Sequence, residues 1–260
     1  MPFCQGLIAA CFVLGLASAF AQTACGQPPS RRDPSAERDK FSAIFDGRTL
    51  DGWHAVPQES TGDWRVQDGA IVGLGSAQRL SYLVWKDDQL RDFELALRYR
   101  LPGRGNSGVE VRSQPDPSGK RPFKGYHADL GHVGSGREIL GAWDFHFSKR
   151  EEYPCPRGTR LMIGPGGKPE ATEIADPLTL ADLRPHEWND VLIVARGNHF
   201  QFFINGKLAS EFTDNARQGR LGHGAIALQI HDKDMQVEFK DVRLKRLPSA
   251  ETSKRRQRDK

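Results

Sequence analysis

The stretch 189-NDVLIVARGNHFQFFINGKLASEF-212 decides how this chain is built. It holds two apolar runs around Gly197-Asn198, and it turns again at Asn205-Gly206. Runs rich in Val, Ile and Phe, broken by such dipeptides, read as antiparallel strands joined by tight turns. The same grammar spreads outward. "DWRVQDGAIVGLG" (63–75) is a strand pair around Asp68-Gly69. "DFELALRYRL" (92–101) sets Phe93, Leu95, Leu97 and Tyr99 against Glu94, Ala96, Arg98 and Arg100. "SGVEVRS" (107–113), "GAIALQIHD" (224–232) and "MQVEFKDVRLKRL" (235–247) alternate in the same way. Only short pieces such as "LTLADL" (178–183) suit a helix, and no repeat of fixed period occurs. Many short strands with aromatic inner faces predict an all-β sandwich, jelly roll or barrel, and alternation does not choose among them.

The 260 residues divide into four parts. Residues 1–21 read as an export signal: an apolar run ends at Ala19-Phe20-Ala21, and it is too short to span a membrane comfortably. Residues 22–40 read as a flexible linker of Pro, Ser and charged residues. Residues 41–248 form the body, and 249–260 form a basic, disordered tail. The expected location is secreted or periplasmic, with no transmembrane anchor in the mature form. Lipidation at Cys25 is the weaker reading, because Gln22 stands where a lipoprotein signal has Leu. Once the signal is removed only Cys25 and Cys155 remain, which allows a disulfide without requiring one. The terminal segments 1–40 and 249–260 carry +1 and +3, the whole of the net +4. A neutral body argues against a nucleic-acid groove.

Six ordered blocks carry a family resemblance: "FDGRTLDGW" (45–53), "SYLVWKDDQLRDFELALRYRL" (81–101), "GNSGVEVRS" (105–113), "GYHADLG" (125–131), "EWNDVLIVARGNHFQFFINGKL" (187–208) and "GAIALQIHDKDMQVEFKDVRLKRL" (224–247). Together they resemble the domain of unknown function 1080 family, described as 3-keto-disaccharide hydrolases. The resemblance spans the whole body. It implies a concanavalin A-like jelly-roll β-sandwich of two antiparallel sheets and an exported, sugar-processing role. One departure concerns the stretch 132–170, which is longer and more charged than the family pattern. There "GAWDF" (141–145) stands loosely in the place of a shorter aromatic-acidic segment, offering Trp143 for stacking on a sugar and Asp144 for binding it.

Strand alternation groups the candidate site residues. Glu110 and Arg112 share a face, with Asn106 at the start of their strand; His127 and Asp129 share one, opposite Tyr126; Gln229 and His231 share another. Each has a plainer reading: an exposed Glu110–Arg112 pair, a packing imidazole, a turn at Asn106, Asp129 or His231. Trp53, Trp64 and Trp85 read as core or rim aromatics, and Trp188 as a core residue. Ordinary retaining glycosidases need two carboxylates flanking the bond. The E-x-D-x-x-E strand of jelly-roll glucanases is missing here; Asp92 and Glu94 are followed by Arg98.

A 3-keto-glycoside asks for something else. Its ketone acidifies the C2 proton. A base removes that proton, the C1 oxygen leaves by β-elimination, and water adds to the enone. The expected players are His127 or Asp129 as base, His231 as acid and Glu110 within the same group. Arg112, or a divalent metal held by His127, Asp129, Glu110 or His231, would stabilise the enolate oxygen. Asn106, Arg112, Gln229, Trp143 and Asp144 would bind the glycoside. No cofactor is certain from these residues, and their spacing matches no recognised metal motif. The alternative is a lectin-like domain that binds carbohydrate without catalysis, which would present exposed, coplanar aromatics and few titratable groups.

Overall fold

The computed structural model describes residues 41–76, 80–131, 139–147, 153 and 155–248. The signal, linker and basic-tail readings, Cys25, and parts of 132–170 lie outside these residues. The strands of the first half are Ser42–Ala43 (β1), Trp53–Val56 (β2), Trp64–Gln67 (β3), Ala70–Leu74 (β4), Ser81–Trp85 (β5), Phe93–Arg100 (β6), Gly108–Pro115 (β7) and Phe123–Asp129 (β8). Those of the second half are Trp143–His146 (β9), Thr159–Ile163 (β10), Pro169–Glu173 (β11), Asn189–Arg196 (β12), His199–Ile204 (β13), Lys207–Asp214 (β14), Ala225–Ile230 (β15) and Gln236–Arg246 (β16). Two short 3-10 turns, Gln58–Asp63 and Leu180–Asp182, complete the set.

The strands form two sheets. One runs β11-β10-β14-β13-β12-β6-β16-β4-β3, with β1 on β16; the other runs β2-β5-β15-β7-β8-β9. This is the expected jelly-roll sandwich. One pairing departs from the antiparallel rule: β10 lies parallel to β14. β10 arrives from the six-stranded sheet rather than through a hairpin with β14, so no tight turn sets its direction. The hairpins follow the turn chemistry. Asp68-Gly69 and Asn205-Gly206 both take positive φ, at 51° and 76° and at 50° and 82°. These are the left-handed values that two-residue hairpin loops demand.

Between the sheets lies an aromatic core. β6 shows its logic: Phe93, Leu95, Leu97 and Tyr99 are buried, and the residues between them are half-buried outward. Opposite them Tyr126, Trp143 and Phe145 pack with Phe200 and Phe212. Trp53, Trp64 and Trp85 join this core. Trp188 does not. It is half-buried, covered by Arg100 and Lys240 at 4.9 and 4.1 Å from the ring centroid. Cys155 is a buried free thiol, which burial pushes up to about 12.

In contrast to β6, β7 and β8 are buried on both faces over most of their length. Their inner residues feed the core. Their outer residues include a polar group beside a small apolar cluster of Tyr82, Ala227 and Phe123, and the polar group is the candidate site.

Candidate functional site

The outer face of the six-stranded sheet is read from its registers. Ala227, Glu110, His127 and Asp144 stand directly across from one another on β15, β7, β8 and β9. One row toward the other end, Gly125 on β8 faces His146 on β9. Opposite in direction, Gly108 faces Asp129, and Gln229 pairs with Tyr82 on β5. Alternation thus carries Glu110, His127, Asp129, Asp144, His146, Gln229 and Tyr82 to one face.

Two glycines let this face become a site. A β-carbon on Gly108 would stand 2.1 Å from His127 Nε2, and one on Gly125 would stand 2.5 Å from Glu110 Oε2. His127 and Glu110 therefore lean over the two bare positions, each toward the opposite strand. Leaning brings them together: Glu110 Oε1 lies 3.1 Å from His127 Nδ1 and also contacts His146 Nδ1. The imidazoles of His127 and His146 stack, with centroids 4.8 Å apart. On its other edge His127 Nε2 stands 3.5 Å from Asp129 Oδ1. Glu110 is 1% exposed, His127 2% and Asp129 3%, so the group is enclosed.

Enclosure sets the charge states. Burial alone would raise the Glu110 pKa, but the His146 and His127 charges hold it well below the usual carboxylate range. Burial alone would depress His127; Glu110, and then Asp129, override this and raise it to about 10. Asp129 moves the other way. Burial raises its pKa although His127 opposes the shift. The result is a deeply stabilised Glu110 anion, an imidazolium, and an aspartate more basic than usual.

Several buried atoms have no hydrogen-bond partner: Glu110 Oε2, Ser113 Oγ, Asp129 Oδ2, Gln229 Oε1 and Asn106 Oδ1. One donor atom each from Glu110, His127 and His146 fall within 4.8 Å of one another. Two imidazoles and a carboxylate with a bare buried oxygen fit a divalent metal in kind.

The structure redistributes the sequence-based candidates. Glu110, His127 and Asp129 meet, and Asp144 stands exposed across from His127. Gln229 and Asn106 keep their places on this face. Three other placements are corrected. Arg112 does not share Glu110's face. The register shifts between Val111 and Gln114, Arg112 takes φ 51°, and its side chain turns inward. There it donates to the carbonyls of Arg91, Gly197 and Leu221 and pairs with Asp92 at 3.2 Å. Trp143 is fully buried among Phe200, Phe202 and Phe212, so it cannot stack on a sugar. His231 follows the end of β15 and bonds Asp232 at 2.7 Å, outside the Glu110–His127 group. Two members went unread in the sequence. "WDFH" alternates, and that period places His146 beside Asp144; "SYLVW" likewise presents Tyr82.

Residues 40–245 match the family described as the 3-keto-alpha-glucoside-1,2-lyase-like domain. The chain belongs to this family. Solved structures agree on the fold. A proposed glycosyl hydrolase from Parabacteroides distasonis ATCC 8503 superposes with a TM-score of 0.52 at 20% identity, over 83% of this chain and 98% of that one. A second from the same organism gives 0.50 at 17%, over 80% and 84%. A protein of unknown function with a galectin-like fold from Bacillus subtilis gives 0.50 at 12%, over 76% and 90%. No curated protein matches the sequence. Members of this 3-keto-α-glucoside-1,2-lyase-like family form a carbohydrate-active class.

Proposed function

We propose that this protein cleaves 3-keto-glycosides by β-elimination, with hydration of the product, after export from the cytoplasm. The observation that carries the reading is the enclosed Glu110–His127–His146–Asp129 group on the outer face of the six-stranded sheet. A lectin-like surface would present exposed aromatics. Here Trp53, Trp64, Trp85 and Trp143 are buried, and Trp188 is covered by cations.

The roles follow from the charge states. Asp129 is the base for the C2 proton: burial makes it more basic than an ordinary aspartate, and its Oδ2 is bare. His127 is held protonated by Glu110 and aims Nε2 toward Asp129, so it serves as acid and positive charge near the departing C1 oxygen. Glu110 fixes His127 in place. These assignments favour Asp129 over His127 as base and move the acid from His231 to His127.

A divalent metal on Glu110, His127 and His146 would supply Lewis-acid stabilisation of the enolate oxygen. Such a metal would take the place of the proton on His127, so the metal and the imidazolium acid are alternative ways of supplying positive charge to the same group.

The test uses purified protein and a 3-keto-disaccharide, with and without EDTA, reading free monosaccharide. Release that disappears in Asp129→Asn supports the reading. Binding of the sugar without release, with or without added divalent metal, removes it.

A further inference from the structure

Two buried amide oxygens near Asp129 have no role in the chemistry above. Gln229 is 2% exposed; its Nε2 donates to the Tyr82 hydroxyl at 3.0 Å, and its Oε1 has no partner. Asn106 is held by its backbone. Its N–H donates to Asp232 Oδ2 at 2.9 Å, and its carbonyl accepts from the His231 N–H at 3.2 Å. Its side-chain Oδ1 also has no partner, and it lies where a β-carbon on Gly131 would come within 2.4 Å. The sheet arranges these around Gly108, over which the His127 imidazole leans. Val109 pairs with Leu228, and Gly108 pairs with Asp129, so Gln229 and Asp129 flank Gly108. Asn106, two residues before Gly108, lies on the same face, one row toward the strand end.

A buried acceptor without a donor is destabilising, and two of them beside a catalytic carboxylate leave the same chemical demand unmet. Only a donor can meet it. A 3-keto-glucoside offers hydroxyl groups at C2, C4 and C6, on either side of its ketone. We propose that Asn106 Oδ1 and Gln229 Oε1 accept two hydroxyls of the keto-sugar ring, orienting its C2–H toward Asp129, and that Tyr82 is the positioning residue for Gln229. This rests on the glycoside reading given above. Tyr82 is suited to the task because its ring is itself fixed, edge-on to Phe123 at 5.5 Å.

The first arm of the test is calorimetric and reads binding; the Tyr82 arm reads turnover. The probes are methyl 3-keto-α-glucopyranoside and its 4-deoxy-4-fluoro and 6-deoxy-6-fluoro analogues. Fluorine replaces a hydroxyl without donating. The wild-type protein is expected to bind at least one analogue about tenfold more weakly than the parent, the size of one neutral hydrogen bond. That loss should vanish in Gln229→Leu or in Asn106→Leu, because the matching acceptor is gone. Tyr82→Phe keeps the ring and its packing. It is expected to raise KM by about three- to tenfold with kcat nearly unchanged, a split that general loosening of the fold would not produce. Both analogues binding within twofold of the parent overturns the proposal, as does no binding of the parent or a fluorine penalty that survives in both variants. The wild-type comparison alone decides the matter should a variant fail to fold. Binding with the expected penalty but no cleavage would instead overturn the catalytic reading and leave this subsite standing.

Discussion

Gly108→Ala is the sharpest probe of how the site is built. The added methyl would meet His127 Nε2 at 2.1 Å, His127 Cε1 at 2.3 Å and the Ala128 carbonyl at 2.8 Å. Ordinary contact begins at 3.4 Å, so the ring must retreat by more than 1 Å. Its links to Glu110 at 3.1 Å and Asp129 at 3.5 Å cannot both survive that movement. Overpacking of this kind costs roughly 1–3 kcal/mol. Alanine recovers about 0.4–1 kcal/mol by restricting the unfolded chain, since Gly108 is not in the left-handed region. The net loss is then at most about 2.6 kcal/mol, or a fall in Tm of up to roughly 10 °C for a domain of this size. Activity should suffer far more, because a 1 Å displacement of a catalytic group costs about a hundredfold. The assay pairs a thermal melt with monosaccharide release from a 3-keto-disaccharide. A folded variant with wild-type kcat/KM would refute the reasoning, since His127 could then move without consequence.

Three further outcomes are expected. Glu110→Gln, measured in EDTA, removes one partner of a buried ion group and should lose about 3 kcal/mol near pH 6. His127's folded pKa is raised, so its contribution is complete below about 6.5 and disappears as pH climbs through about 10; the wild-type and variant melting curves should converge over that window, and a constant gap would contradict the ion pair. Arg112→Met strands the carbonyls of Arg91, Gly197 and Leu221 and the Asp92 carboxylate. Urea unfolding should show a loss of about 3–5 kcal/mol, and Arg112→Lys should rescue little of it because one ammonium cannot span the same acceptors. Cys155, whose thiol burial holds near 12, should resist a thiol-specific reagent at pH 8 in the native state and react at once in denaturant; rapid native labelling would show that this part of the fold opens.

Much of this architecture was legible because strand alternation is a local code. "DFELALRYRL" declares its inner and outer faces, and Asp68-Gly69 and Asn205-Gly206 declare their turns. Glu110, His127 and Asp129 were found by the same code. It fails where the backbone stops alternating. At Arg112 a single positive φ turns the side chain from the outer face to the core, and no pattern of apolar and polar residues announces that. Trp143 misled for another reason: a loop aromatic is a fair sugar platform until pairing of β8 with β9 makes it part of a strand. His146 obeyed alternation but fell in that same unread strand. The lean of His127 and Glu110 over Gly108 and Gly125 depends on which residues stand across from each other, and register is a property of the assembled sheet.

The outward position of the site has a consequence for how this scaffold can change over time. The residues of β7, β8 and β9 answer to two separate constraints, set by which face of the sheet each one occupies. The inward residues are tied to a dense aromatic core, whereas the outward ones are tied only to each other and to whatever they bind. A handful of exchanges on the outer face could therefore retune or erase the chemistry while the sandwich stayed intact. An inactive descendant could lose some stability and still keep the sandwich, and shape alone would not tell the two apart.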